Sequence, residues 1–483
     1  MLSSSVDFSG RPFHFIGIGG IGMSALAHVL AGRGLPVSGS DLRLSRITQR
    51  LEDKGAYIFN QQQAENISFF TNLHGGESTQ LPQVVCSTAI GEDNLEFREA
   101  KALGCPIFHR SDILAAIMNE RKGIAIAGTH GKTTTSSLTG YLLWKAGIDP
   151  TIIIGGEVSD WGGNAYEGKS NYVVAEADES DGSLVKLSSY IGAITNIELD
   201  HPDHYSSLDQ IVAIFEQFAA KCDTVIGCLD CPTVRDRINP EIGYSLDPDS
   251  GADYIATNIT KSAEGMTAEI IEQGKSLGFV RVPLLGLHNL SNALAAIAIA
   301  RRLGVSFESI AQHLPNFSGA ARRFDYRGLH NEILFVDDYA HHPTEIAATL
   351  AAAEIQRSSR LPSGTPRKVV AVFQPHRYSR ASTLLDEFSI AFDSADRVVV
   401  TDIYSAGEAN TSGITGEQVK EAIAQHNPNT EYQGSLEDVT RSLSTTLRPG
   451  DIVIFLTAGN LNQIIPEVMA AYQNVLQPEA ALT

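Results

Sequence analysis

An α/β protein of three domains is the fold class the sequence predicts, and three observations predict it. Short apolar runs alternate with helical patterns along the chain. Two glycine loops, at 17–22 and 128–131, each follow an apolar run directly and open a helical pattern. The chain has 483 residues with 43% hydrophobic content, long enough for about three domains of ordinary size.

The first domain is expected over residues 1–107, where FHFIGIG, LPVSGSD, QVVCSTAI and CPIFHR read as strands of a parallel, Rossmann-like unit. Gly17-Ile18-Gly19-Gly20-Ile21-Gly22 lies between a strand and the helical stretch MSALAHVLAGRG, and Ser40-Asp41 closes the next strand. Glycines so placed let backbone approach a pyrophosphate while the acid reaches a ribose hydroxyl. The same glycines also serve tight strand-to-helix packing, and the motif alone does not choose.

The second domain, residues 108–318, contains GIAIAGTHGKTTTSSLTG at 123–140, which reads as a loop for a nucleoside triphosphate. Gly128 and Gly131 let the backbone curl so that N–H groups at a helix start converge on phosphate oxygens. Lys132 adds a point charge and Thr133 a hydroxyl for Mg²⁺. Ile126 stands where the strict G-x-x-x-x-G-K-[ST] pattern has glycine, so the loop is a shortened variant.

Glu176 ends the apolar run YVVA and His201 follows the strand expected in IGAITNIELDHPDHY, so both are expected at strand ends facing the loop. With Thr133 they are the candidate Mg²⁺ ligands, although imidazole is the less usual partner of a hard cation. Asn289 and Asn292 stand three apart at the start of an Ala-rich helix, on one face, where two amides can meet a ligand. Asn289 reads equally as a helix cap.

The third domain, residues 319–483, carries three strand patterns, EILFVDDYAHHP, RKVVAVFQPHRYSR and DRVVVTDIY, and a last one, DIVIFLTAGN. The polar stretch at 356–368 reads as a loop within it. Arg322-Arg323, Asp338-Tyr339-Ala340-His341-His342 and His376-Arg377-Tyr378-Ser379-Arg380 cluster at successive strand ends, which suits a carboxylate and a transferring phosphoryl group.

Composition bounds the rest. The net charge of −20 disfavours a broad nucleic-acid footprint. The start lacks a signal-peptide pattern and no stretch approaches ~18 apolar residues, so a cytoplasmic protein without membrane insertion is expected. Five scattered cysteines fit a reducing compartment, and the single C-x-x-C of Cys228 and Cys231 is given no function.

Taken together, GTHGKTTT, EADESD, TNIELDHPDHY, HNLSNALAA, ARRFD, DDYAHHPTE and QPHRYSR resemble the bacterial Mur ligases, in order and over essentially the whole chain. The resemblance implies an N-terminal domain holding a UDP-sugar, a central P-loop ATPase-type domain, and a C-terminal Rossmann-like domain that closes over the amino acid. GIGGIGMSALA with DDYAHHP implies UDP-N-acetylmuramate and L-alanine as substrates, ATP and Mg²⁺ as cofactors, and a monomer or weak homodimer.

Carried over by residue, it makes Gly128, Thr129, His130, Gly131, Lys132, Thr133 and Thr134 the ATP loop and Thr133, Glu176 and His201 the metal environment. Asn289 and Asn292 become nucleotide contacts, and Arg323 and Asp338 serve ATP across the domain gap. Tyr339, His341, Arg377 and Arg380 line the alanine and reacting-carboxylate end. Gly19, Gly20, Ile21, Gly22 and Asp41, with Ser87 and Arg110, face the UDP-sugar, so that G-x-G-x-x-G here implies a UDP pyrophosphate and not NAD.

Two positions depart from the family pattern. Where several relatives carry a carbamylated lysine this chain has Glu216, with Lys221 five residues on, and Glu216 is expected to supply charge to any second Mg²⁺. The last strand ends in TAGN, which leaves the role of Asn460 open. Three other readings are a relative that attaches a tripeptide to the same sugar nucleotide, an NAD-dependent oxidoreductase, and a non-catalytic ATP-binding regulator. The oxidoreductase leaves the second glycine loop unused, and the regulator needs neither Glu176 with His201 nor the arginine clusters.

Overall fold

The computed structural model describes residues 5–73, 80–357 and 366–473, and it resolves them into three sheets. The first is all parallel, in the order β3-β2-β1-β4-β5, with β1 Phe13–Ile16, β2 Val37–Ser40, β3 Tyr57–Phe59, β4 Gln83–Cys86 and β5 Ile107–His109. The order reverses between β1 and β4, the place where open parallel sheets hold ligands. The glycine loop leaves β1 there, and Ser87 leaves β4.

The second sheet has ten strands: β6 Lys122–Ala127, β7 Thr151–Val158, β8 Gly163–Tyr166, β9 Tyr172–Glu176, β10 Ile191–Ile194, β11 Val225–Cys228, β12 Ile242–Ser245, β13 Tyr254–Ser262, β14 Gly265–Glu272 and β15 Lys275–Val282. Strand β6 is central, between β9 and β10 and parallel to both. All but its first residue are buried, as expected of a parallel strand covered on both faces. The alternating pattern of the domain hides an antiparallel end, since β13, β14 and β15 form a meander that the sequence reading did not separate.

The strand expected in IGAITNIELDHPDHY is corrected to β10 alone. It stops at Ile194 because the next two side chains serve a loop: Thr195 Oγ1 donates to His130 O, and Asn196 Oδ1 accepts from the His130 N–H at 2.8 Å.

The third sheet, β16-β17-β21-β18-β19-β20, comprises β16 Asp325–His330, β17 Ile333–Asp338, β18 Lys368–Phe373, β19 Arg397–Val400, β20 Thr430–Tyr432 and β21 Asp451–Leu456. The four expected strands are present, and two edge strands, β16 of six residues and β20 of three, join them. Of the stretch expected as a loop at 356–368, residues 358–365 lie outside the described residues.

The first two sheets share one apolar core. The helix Ile21–Gly32 is buried on most sides, with Ala25, Leu26, Ala27, Val29 and Leu30 inside. A helix apolar around most of its circumference must be covered on more than one face. It meets its own sheet and also β7 and β8, where Asn164 Nδ2 donates to Ser24 Oγ at 2.9 Å. Among the described residues no helix is long and apolar enough to cross a membrane.

Candidate active site

The phosphate-type loop follows β6 directly. Gly128 and Gly131 have φ of +139° and +80°, and a Cβ at either would collide with Thr195 Oγ1 or Asn292 Oδ1. The helix Lys132–Lys145 begins at Gly131 with no side-chain cap, so its first N–H groups point into the site.

Lys132 Nζ donates to Gly128 O at 2.7 Å, Thr129 O at 3.0 Å and Glu179 Oε1 at 2.9 Å. Burial works against the ammonium, but Glu179, Asp178 and Glu176 more than offset it and its pKa stands above the ordinary value. Burial in turn raises the Glu179 carboxyl to about 7, with Lys132 opposing.

Thr133 Oγ1 lies 3.0 and 3.2 Å from the two oxygens of Glu176, and the Gly155 N–H donates to Glu176 Oε2 at 2.8 Å. A hydroxyl and an oriented carboxylate are hard oxygen donors that fit Mg²⁺. His201 stands on the other side of Lys132, its Nε2 at 3.8 Å from Glu179 Oε1 and 3.6 Å from Asp200 Oδ2. Glu216 is not brought to this place: it pairs with Arg237 at 3.1 Å on the surface. The Lys221 ammonium bonds to Val185 O.

A cavity of about 400 Å³ opens beside the loop, lined by His130, Gly131, Thr134, Asn289, Asn292, Arg323 and Asp338 among others. Gly286 is the N-cap of the helix Leu287–Arg302, so Asn289 lies inside the first turn and is not its cap. Its Nδ2 donates to Leu285 O at 2.8 Å, while Asn292 Oδ1 accepts from Thr135 Oγ1 at 3.2 Å. Cys228 and Cys231 also line this cavity, and all five cysteines are free.

The third domain faces the cavity from the far side. Asp338 accepts from the N–H groups of Phe324 at 2.7 Å and Ala340 at 2.8 Å, and burial raises its pKa to about 6 with Arg323 opposing. The guanidinium groups of Arg322 and Arg323 lie 4.8 and 5.2 Å from the Tyr339 ring centre.

His341 Nδ1 meets Tyr339 O at 2.9 Å and Glu345 Oε2 at 3.2 Å. Both partners only accept, so Nδ1 carries the proton and Nε2 keeps its lone pair. Burial lowers the His341 pKa to about 4, so the ring is neutral near pH 7.

Arg377 pairs with Asp203 at 2.6 Å, and Arg380 Nε with Asp200 Oδ1 at 2.9 Å. Both join the third domain to the loop after β10. Asn460 has a structural partner: its N–H donates to Gln374 Oε1 at 3.0 Å and its Oδ1 accepts from Gln374 Nε2 at 2.9 Å.

His130 contributes more than its backbone. Its ring sits between Glu345 Oε1 at 3.2 Å and Glu198 Oε2 at 3.4 Å. Burial pulls its pKa down, but the two carboxylates overcome it and raise it to about 10, so the ring is an imidazolium. Thr344 Oγ1 donates to Glu198 Oε2 at 2.7 Å, extending the bridge between the domains. His130, Glu198 and His342 form a group of metal-ligand type, yet the His130 ring is engaged by Glu198 and Glu345, and His342 spends Nε2 on Leu199 O and Nδ1 on the Thr344 N–H. They read as an ion-pair bridge.

On the first domain, Gly20 opens the helix Ile21–Gly32 and Asp41 is committed to backbone: Oδ2 accepts from Gly19 N–H at 2.8 Å and Oδ1 from Arg43 N–H at 2.9 Å. Ser87 Oγ accepts from the Ala89 N–H at 3.4 Å. Arg110 Nη1 would lie 3.6 Å from a Cβ on Gly22, and Nη2 reaches Asp178 at 2.8 Å and Asp181 at 3.3 Å. One run of charges therefore leads from the first glycine loop through Arg110 and Asp178 to the neighbourhood of Lys132.

Glu179, Glu198, Glu345, Asp200 and Asp203 are absent from the sequence-derived site. Their signal was the acidic content of EADESD, IELDHPD and HHPTE, and only pairing in three dimensions separates these acids from solvated ones.

Comparison with known proteins places these features in a family. Three family profiles match in succession: Mur ligase family, catalytic domain, over residues 12–122; Mur ligase middle domain over 126–300; and Mur ligase, glutamate ligase domain, over 322–459. The chain is 57% identical over 479 residues to the UDP-N-acetylmuramate–L-alanine ligase of Nostoc punctiforme, covering 98% of each. The crystal structure of the UDP-N-acetylmuramate-alanine ligase of Thermotoga maritima superposes with a TM-score of 0.79 at 26% identity, covering 96% of this chain and 99% of that one. A murein peptide ligase from Psychrobacter arcticus shares the fold at TM-score 0.69 and 24% identity, with 97% and 100% covered.

Proposed function

The chain belongs to the Mur ligase family, and we propose that it joins L-alanine to the carboxylate of UDP-N-acetylmuramate, with ATP cleaved to ADP and phosphate, in peptidoglycan precursor synthesis. This reading is supported by the 57% identity over nearly the whole length to a UDP-N-acetylmuramate–L-alanine ligase, and by Arg110, which stands beside Gly22 and pairs with Asp178, whose carboxylate also feels the charge of Lys132.

A carboxylate resists amines because its carbon is electron-rich and its leaving group would be oxide. Its oxygen therefore attacks the γ-phosphorus first, ADP leaves, and an acyl phosphate forms. The amine then attacks the acyl carbon, and phosphate leaves as the amide closes. Positioning and electrostatics supply most of such catalysis.

In this reading the loop 128–134 cradles the phosphates, and Lys132 takes charge developing on the transferred group. Thr133 and Glu176 would hold Mg²⁺, which supplies positive charge to the phosphate oxygens. Asn289 and Asn292 meet the nucleotide in the cavity, with Arg323 across the gap. Gly19, Gly20, Ile21, Gly22, Ser87 and Arg110 receive the sugar nucleotide, while Asp41 acts by fixing the glycine loop. Arg377 and Arg380 are the cations for the alanine carboxylate, and His341 Nε2 accepts from its ammonium. The three domains divide sugar nucleotide, ATP and amino acid between them, and closure keeps water from the acyl phosphate.

Phosphate release with UDP-N-acetylmuramate and ATP, while the amino acid is varied among L-alanine, glycine, L-serine and a tripeptide, tests the proposal. Release that depends on L-alanine supports it; release only with the tripeptide selects the peptide-attaching reading instead.

A further inference from the structure

Glu345 stands in the first turn of the helix Pro343–Arg357, and its carboxylate joins two histidines from two domains. Oε1 lies 3.2 Å from His130 Nδ1 on the nucleotide loop. Oε2 lies 3.2 Å from His341 Nδ1 and accepts from the N–H groups of His341 at 3.1 Å and His342 at 3.3 Å. The side chains of Glu345, His130 and His341 are 13%, 11% and 15% exposed, so little water competes for these contacts.

The tautomer of His341 does not need Glu345. Tyr339 O already accepts from Nδ1 at 2.9 Å and leaves Nε2 its lone pair. What a carbonyl lacks is a full negative charge. Burial and the Arg380 guanidinium push His341 away from carrying a proton, and Glu345 is the strongest influence the other way, with Asp200 behind it. Tyr339 and His376 pack their rings against His341, and burial keeps His376 uncharged near pH 7. Burial also opposes the charge on Glu345, but His341, His130 and Arg323 prevail and hold its pKa well below the ordinary value. Asp338 is the other acid beside it.

Alanine arrives as an ammonium, and an amine attacks only through a lone pair, so one proton must leave its nitrogen. In the site described above it goes to His341 Nε2: the N–H bond breaks, the Nε2–H bond forms, and the pair left on nitrogen attacks the acyl carbon. The ring is then an imidazolium whose Nδ1–H faces Glu345, and no proton passes on to the carboxylate. A carboxylate so placed favours the charged ring as it forms.

Oε1 adds a condition. His130 belongs to the loop after β6, whereas Glu345 and His341 belong to the third domain. The carboxylate is held from the loop side only while the third domain lies over it.

We infer that Glu345 is a positioning residue for the amine: it supplies the charge that lets His341 accept a proton, and its bond to His130 ties that capacity to closure over the nucleotide loop. The inference rests on the ATP-dependent ligase reading.

Hydroxylamine tests it, because it is largely unprotonated at pH 7 and captures an acyl phosphate without a base. The full chain, with ATP, Mg²⁺ and UDP-N-acetylmuramate, is assayed for hydroxamate with hydroxylamine and for amide with saturating L-alanine. In Glu345→Gln, hydroxamate formation is expected within about threefold of wild type and amide formation about 10–100-fold lower at pH 7, a deficit that narrows toward about pH 9 as alanine itself loses its proton. His130→Gln should lower the amide-to-hydroxamate ratio by about threefold or more, a reading that cancels effects on ATP and stands even if Glu345→Gln does not fold. Equal losses with both nucleophiles, a deficit flat in pH, or an unchanged ratio in His130→Gln overturns the inference while wild-type amide formation leaves the ligase reading standing. Wild type that makes neither hydroxamate nor amide removes the ligase reading, and this inference with it.

Discussion

Arg380 Nε and Asp200 Oδ1 are 2.9 Å apart with 2% and 5% of their side chains exposed, so a buried ion pair joins the third domain to the loop after β10. Removing one partner of such a pair strands the other charge. Arg380→Ala is expected to lower unfolding stability by about 3–5 kcal/mol and to raise the KM for alanine. A urea-unfolding loss under about 1 kcal/mol would mean the pair is dispensable.

Arg377 offers the contrast. Its pair with Asp203 is about one-third exposed on each side. Arg377→Ala should therefore change stability by about 0–1 kcal/mol while still raising the alanine KM. Steady-state kinetics separate the two: an effect on the KM of ATP alone contradicts the assignment.

Lys132→Ala should lose about 10²–10³-fold in turnover, the scale of one preorganised electrostatic donor. Binding of UDP-N-acetylmuramate, measured by calorimetry, should remain within about threefold because the first glycine loop lies on another sheet. Turnover within a few-fold of wild type refutes the role of the loop.

Gly131 sits at φ +80° against Asn292. Gly131→Ala is expected to lose about 1–2 kcal/mol from backbone strain and to weaken nucleotide binding further through the displaced amide. An alanine variant that binds the ATP analogue as well as wild type would be incompatible with the loop geometry.

His130 predicts a pH dependence with a definite sign. Its folded pKa, about 10, lies above the ordinary 6.5, so folding favours the protonated ring. That stabilisation is full below about pH 6.5 and is lost as pH rises through about 10. The melting-temperature difference between wild type and His130→Gln should shrink from pH 7 to 10; a flat difference means the imidazolium bridge is absent. His341, lowered to about 4, acts oppositely and opposes the fold as pH falls from about 6.5 to 4.

These residues also mark how far the sequence could be read. Both glycine loops were legible because strand, loop and helix succeed one another locally, and the positive φ of Gly17, Gly128 and Gly131 bears out why glycine stands there. Strand β10 was read too long because an apolar run cannot reveal that Thr195 and Asn196 turn their side chains to His130. The meander β13–β15 was missed because its strands, though eight to nine residues long, mix polar residues such as Asn258, Lys261 and Glu269 with apolar ones and so carry a weak period-2 signal. Glu179, Glu198 and Glu345 were illegible for another reason: an acid in a polar run looks solvated until a partner from a distant segment buries it. Asp41 was read as facing a ribose hydroxyl, and in the structure its carboxylate holds the backbone N–H groups of Gly19 and Arg43.

The central claim is that the substrate carboxylate is activated by phosphorylation. UDP-N-acetylmuramate labelled with ¹⁸O in its carboxylate, turned over with ATP and L-alanine, measures this directly by the mass of the released phosphate. One ¹⁸O is expected in each phosphate, with the other retained in the amide. Unlabelled phosphate would contradict it.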